Sequence, residues 1–407
     1  MISSLYSGVQ GISSNSVALG VIGSNIANVN TGGYKSSTVS FATVLGDTQA
    51  QGGVRVWGMG KSWTQGALEY TTNNTDLAIV GEGLFVVHDL AGVEHYSRAG
   101  SFLFDKDGLL VNQDGFRVQG LAITSGTTGG SPTNIDTSKS IYEPKATTAM
   151  EMVLNLNSST AASGTFSNTI TVNDSLGNSV PLTLTFKKTA VNTWEVSGEM
   201  PSSVAAASGT NVQFDGSDTM TISFGADGKV SSVTADVDIT LDNMDAVASA
   251  TQTLSWNLYD ESNDTAFNHI TQFASNSSVT FQTQDGYATG RITDVRVGED
   301  GIITGVFSNG KTKALYQIVL ANFPSYENLN SVGNNLYDVS VDSGLPVIGA
   351  PKSGRRGAIS SRSLEMSNVD LATEFVKMIV TQRAYQANAK VITTSNEVLQ
   401  ELINMKR

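Results

Sequence analysis

Residues 25–35 read NIANVNTGGYK, and Lys35 is the first charged side chain in the chain. Asn25 and Asn28, three residues apart, share one face of any helix that runs through them and read as polar registry points. Asn30, Thr31, Gly32 and Gly33 are residues that end a helix and redirect the chain. Tyr34 and Lys35 then begin a connector. The stretch is a joint, with a charge-free helix expected before it and another kind of structure after it.

The residues before the joint bear out a helical period. Ile2, Leu5, Val9, Ile12, Ser16, Leu19, Gly23 and Ile26 follow steps of four and three, apolar at six of eight positions. Gly8, Gly11, Gly20 and Gly23 each weaken such a helix by about 1 kcal/mol relative to Ala, so it needs neighbours to form. The far end of the chain has the stronger pattern: Leu371, Phe375, Met378, Gln382, Tyr385, Ala389, Ile392, Asn396, Leu399 and Ile403 form a seam apolar at eight of ten positions. Ser367 and Asp370 have the spacing of a capping box, and Lys406 and Arg407 stand where a helix dipole favours cations. The two ends suit pairing with each other as a coiled coil; packing of each on its own domain is the plainer alternative.

Between the ends the period is two. Val180, Leu182, Leu184 and Phe186 alternate with small or polar residues, as do Met220, Ile222 and Phe224, and Leu254, Trp256 and Leu258. Residues 145–285 are dense in Thr, Ser, Asn and Ala and read as an all-β domain of antiparallel hairpins. Flanking stretches are strand-rich too, with turns at Asp107-Gly108, Asp114-Gly115, Asp300-Gly301 and Asn309-Gly310. The expected fold is multidomain and mainly β, with nested discontinuous β domains and an α-helical coiled-coil region made by both termini. The boundaries are 1–30 with 364–407 for the helices, 31–70 with 357–363 for a connector, 71–144 with 286–356 for an inner β domain, and 145–285 for an outer one.

Composition narrows the function. A net charge of −13 with no basic run longer than Arg355-Arg356 excludes a nucleic-acid footprint. No cysteine means no disulfide and no thiolate site. The first 34 residues lack the basic n-region of a Sec leader, and no stretch approaches the roughly 18 apolar residues of a membrane span. Gly60-Lys61-Ser62 ends like a phosphate loop, but Arg55 stands where the first glycine belongs. Asp105-Lys106-Asp107-Gly108 starts like a calcium loop, yet Phe116 occupies position twelve. His88 and His95, on one continuous strand, would point to opposite faces, and neither they nor His269 accompany a metal motif. No G-x-S-x-G elbow appears. We therefore expect no catalytic residue, cofactor or metal, and no enzyme.

The segment 24–35, SNIANVNTGGYK, resembles the amino-terminal signature of the bacterial flagellar rod and hook proteins, through Ser24, Asn25, Ile26, Ala27, Asn28, Thr31, Gly33, Tyr34 and Lys35. DLAIVGEGLFVV at 76–87 and YSRAGSFLFDKDGLLVNQDGFRVQG at 96–120 look like that family's first β layer, and 363–404 like its carboxy-terminal helix. Residues 285–323, DGYATGRITDVRVGEDGIITGVFSNGKTKALYQIVLANF, together with the length, resemble the hook branch of the family.

The resemblance implies a subunit that polymerises head to tail into a flexible hollow tube outside the cell, joining rod to filament and transmitting torque as a universal joint. Implied partners are further copies of the chain, the distal rod, hook cap and hook–filament junction proteins, and the flagellar type III export apparatus, with neither nucleic acid nor membrane insertion. On this reading Leu5, Val9, Ile12, Leu19 and Ile26 pack against Leu371, Phe375, Met378, Tyr385, Ile392, Leu399 and Ile403, in the same subunit and in neighbours, to form the inner wall, with the glycines of the first helix permitting close approach. The Thr/Ser/Asn-rich region 145–285 would provide exchangeable contacts for bending. The alternatives are a distal rod protein, a secreted β-rich adhesin whose helices form an oligomerisation stalk, and a hydrolase with paired acids in a cleft.

Overall fold

The computed structural model describes residues 2–44, 53–124, 126–201, 212–231, 236–242, 251–260, 265–266 and 269–405. Helix α1 spans Ile2–Ala27 and helix α2 spans Leu371–Met405, with strands throughout the intervening chain. Two compact units emerge: residues 1–140, 294–306 and 312–407 in the first, 141–293 and 307–311 in the second. The helices, connector and inner β layer expected as separate domains thus share one unit.

In the first unit the chain leaves and returns beside itself. Strand Leu68–Tyr70 pairs with Ser363–Glu365, and Leu77–Val80 pairs with Ala358–Ser361. Strand Leu84–His88 is paired with Glu94–Ser97, with Arg117–Thr124 and with Leu320–Asn322. Over these strands Leu84, Val86, Tyr96, Val319, Phe323 and Tyr337 bury their side chains, and the Trp63 ring packs at 5.2 Å from Tyr326 and 5.0 Å from Tyr337. His88 and His95 do not lie on one continuous strand. They stand on the two arms of a hairpin, because Asp89 Oδ1 accepts from the Ala91 and Val93 amides and folds the chain back.

The same device explains the calcium-loop lookalike. Asp105 Oδ1 accepts from the Asp107 and Leu109 amides, and Gly108 takes φ +75° where its missing Cβ would meet Ser138. Gly60-Lys61 closes strand β2 (Gly53–Lys61), which pairs with β1 (Ser37–Val44), and forms no loop.

The second unit is a sandwich. One sheet runs Thr165–Asn173, Ser179–Ala190, Thr193–Glu199 and Thr219–Ser223, all antiparallel. The other centres on Ala149–Asn155. Along one edge of that strand Ser278–Gln284 pairs antiparallel, and the other edge is shared by Thr251–Trp256 and Ile270–Thr271, both parallel. Antiparallel hairpins alone, as the sequence suggests, therefore do not describe it: distant segments close the sheet. Leu182, Leu184, Phe186, Trp194, Leu254 and Trp256 are each fully buried between the sheets, as period-two alternation with one solvated face requires.

Candidate assembly site

The terminal helices pair antiparallel. Ser4 Oγ lies 3.4 Å from Ser395 Oγ, Gly8 faces Ile392, Gly11 faces Asn388, and Asn25 Nδ2 donates to Glu374 Oε2 at 3.2 Å. A Cβ on Gly8 would stand 3.0 Å from Ile392 Cγ1, and one on Gly11 2.6 Å from Asn388 Nδ2. The buried line on α1 is therefore Gly8, Gly11, Ser14, Ala18, Ile22 and Asn25. Small side chains let the two backbones approach, and this displaces the seam expected from the large ones.

Within the single subunit the expected assembly residues divide by exposure. Leu5, Ile12, Leu19 and Ile26 are half-buried at the flanks of that line, and Val9 is 51% exposed. On α2, Met378, Ala389, Ile392 and Leu399 are half-buried, while Leu371, Phe375, Tyr385 and Ile403 are exposed. Val376, Ile379 and Val380 join Phe375 on the uncovered surface, each more than half exposed. Heptad steps found the amphipathic helices but not the face they turn inward. The helix pair keeps a row of apolar side chains in solvent, which is how a surface awaiting a partner looks.

The cap of α2 also differs from the capping-box expectation. Asp370 is itself the N-cap, its Oδ1 accepting from the Thr373 amide at 2.9 Å, which holds its carboxyl below the ordinary range. Ser367 Oγ accepts only from the Val369 amide. Lys406 and Arg407 lie outside the described residues.

The opening joint is the best-built part of the unit. Asn28 does not set registry; its Nδ2 donates to the Ser24 carbonyl at 2.8 Å and closes the end of α1, while Thr31 Oγ1 donates to its Oδ1. Asn25, only 2% exposed, exchanges two hydrogen bonds with the Ser37 backbone and also accepts from Tyr34 Oη. Gly33, at φ +71°, donates to the Glu365 carbonyl and lies so close to Ala99 that a Cβ would come within 2.6 Å of its amide. Tyr34 is buried, and Ala27 is exposed.

Lys35 does not mark the chain's arrival at solvent. Its side chain is 1% exposed and its Nζ donates to Glu365 Oε1 and to the Thr64 carbonyl, both at 2.7 Å. Arg98 Nε donates to Glu365 Oε2 at 2.5 Å, and the rest of its guanidinium caps the carbonyls of Ile79, Gly81 and Gly83. Burial alone would raise the Glu365 carboxyl, but Arg98, Lys35 and the Gly66 amide together hold it below the ordinary glutamate value. Burial lowers Lys35, against the pull of Glu365 and helped by the neighbouring Arg98. Two cations share one carboxylate here, so Glu365 is the best-satisfied member. Neither Glu365 nor Arg98 was legible as a site residue, since no local pattern connects positions 35, 98 and 365. Among the described residues no group of three or more His, Asp or Glu could hold a metal.

Sequence comparison fits this architecture piece by piece. Residues 5–35 match the family described as flagella basal body rod protein, 78–154 the flagellar hook protein FlgE/F/G D1 domain, 134–287 the flagellar basal body protein FlaE D2 domain, and 360–405 the flagellar basal body rod FlgEFG protein C-terminal family. These define an axial protein of the bacterial flagellum. The flagellar hook protein FlgE of Escherichia coli (strain K12) is 34% identical over 98% of both chains, that of Salmonella typhimurium (strain LT2) 34% over 98% of both, and that of Treponema pallidum (strain Nichols) 30% over the full length of both. The chain belongs to the flagellar hook protein FlgE family. Among solved structures, Helicobacter pylori flagellar hook protein FlgE2 aligns with 73% of this chain and all of its own at a TM-score of 0.44 and 16% identity, too loose a match to carry an argument about the fold.

Proposed function

We propose that the chain is the structural subunit of a flagellar hook, polymerising head to tail into a flexible hollow tube that links rod to filament and passes motor torque as a universal joint. The observation that carries this reading is the antiparallel helix pair, closely packed along small residues and bare along its apolar outer row. An unclosed heterologous interface grows into a helical filament, so the subunit requires complementary surfaces and no active site. The inner wall is built from α1 and α2, with Phe375, Val376, Ile379 and Val380 contacting neighbouring copies. The sandwich supplies exchangeable polar contacts for bending. Partners beyond the chain itself are the distal rod, hook cap and hook–filament junction proteins, reached after type III export.

Electron microscopy of the concentrated protein tests this directly. Short curved tubes are expected; straight tubes would assign the chain to the distal rod instead, and a protein that stays monomeric at any concentration would sink the reading.

A further inference from the structure

The small residues that bring α1 and α2 together leave their register open. Ser4 with Ser395, Gly8 with Ile392, Gly11 with Asn388 and Asn25 with Glu374 keep a constant sum of 399 or 400, so one register holds along the pair. Packing does little to select it. Gly8 and Gly11 stand one helical step apart, so a slip of one turn toward the joint would seat Ile392 on Gly11 as it now sits on Gly8. A slip the other way would seat Asn388 on Gly8. The coil 366–370 leading into α2 has no regular structure, and one more or one fewer turn of α2 absorbs such a shift.

One contact does distinguish the registers. The buried amide of Asn25 is fully used. Its Oδ1 accepts from the Ser37 amide at 2.8 Å and from Tyr34 Oη at 3.3 Å, and its Nδ2 donates to the Ser37 carbonyl at 2.9 Å and to Glu374 Oε2 at 3.2 Å. The two bonds with the Ser37 backbone fix which way the amide points, so a donor is presented to α2 and only an acceptor there satisfies it. Among the described residues of α2, Glu374 alone is buried, and its Oε1 accepts from Lys377 Nζ at 2.7 Å. A slip toward the joint would put Met378 opposite Asn25, and the reverse slip would put the Glu374 carboxylate against Ile22. Either strands a buried polar group.

We propose that Asn25 and Glu374 are the positioning residues that set the axial register of the terminal helices. A single buried asparagine specifies register in coiled coils in the same way, at a cost in stability. Here the asparagine is itself oriented by the joint, so the helices are aligned with the turn that leads out of them. The register belongs to the chain and holds or fails without the hook reading. On that reading it has a further consequence, since it decides where Phe375, Val376, Ile379 and Val380 stand along α1 when a neighbouring copy meets them.

The chain has no cysteine, so V17C and V398C, at exposed positions of α1 and α2, take spin labels at two defined points. Their separation is measured by double electron–electron resonance in the full chain and, with labelled chains diluted among unlabelled ones, in any polymer it forms. The labelled background should give one narrow distance, and E374Q, whose amide oxygen still accepts, should keep it. E374M should broaden the distribution or add a second distance. Moving the carboxylate by one turn is the sharper test: E374M/M378E should draw α2 toward the joint and shorten the distance by about 5 Å, one helical pitch. A distance in E374M/M378E equal to the background overturns the proposal, as does E374Q shifting as far as E374M, or a background with no narrow distance. Whether tubes form bears on the hook reading alone.

Discussion

The sandwich and the helix pair use apolar residues in opposite ways. In the sandwich, strand Ser179–Ala190 turns Val180, Leu182, Leu184 and Phe186 into one closed core, and each is at most 2% exposed. In the helix pair, Gly8 and Gly11 lie against Ile392 and Asn388 and Asn25 bonds Glu374, and Phe375, Val376, Ile379 and Val380 remain outside. The first region covers its own apolar side chains; the second leaves a row of them uncovered. On the proposed hook reading, folding and assembly fall to different segments of one chain.

The largest effect that would sharpen the contrast is Trp194→Ala. The indole is fully buried, with Nε1 donating to Gln272 Oε1 at 2.9 Å, so truncation should cost about 4 kcal/mol. Calorimetry should show the sandwich transition falling while the helical circular dichroism of the termini is unchanged; loss of both together would mean the regions are not independent. Next, Ala389→Pro breaks an interior turn of α2 at a cost of about 3 kcal/mol. Sedimentation should detect no polymer although the β transitions persist, and wild-type assembly would count against α2 as an assembly element.

Glu365→Gln leaves Lys35 and Arg98 facing no anion and should cost about 3 kcal/mol. The sign with pH follows from linkage. A glutamate held below its ordinary value stabilises the fold fully above the usual carboxylate range, and that stability is lost as pH falls through the lowered value. Urea titrations of both proteins at successive pH should converge toward acid; parallel curves would show that the carboxylate is not what holds the joint. The smallest pair of effects separates the glycines. Gly11→Val should force the helices apart, at a cost of about 2 kcal/mol. Gly20→Ala, with nothing within 4 Å of the new methyl, should gain about 1 kcal/mol of helix stability in the monomer. Equal effects from the two would refute close approach as the reason for Gly11.

Legibility followed the range of the interactions. Alternation in the sandwich strands and the long period of α2 are local, and both elements stand where the spacing puts them. The inward face of α1 was legible in part: its glycines read as points of close approach, and Gly8 and Gly11 are such points, while the heptad count, which rewards large side chains, put Val9 on that face. The parallel pairing of Ala149–Asn155 with Thr251–Trp256 joins segments a hundred residues apart, with no turn between them to announce it. Lys35 read only as the start of a connector, because its partner Glu365 stands 330 positions away and Arg98, which shares that carboxylate, 63 away.

That shared carboxylate also fixes how the unit bears a load. Two stretches of chain cross from the helix pair to the β layers, one through Lys35 and the other through Glu365; the two are tied to each other, and Glu365 also to Arg98. Separating either crossing from the other therefore breaks the Lys35–Glu365 pair, and Glu365 is held in turn by an arginine that caps three backbone carbonyls.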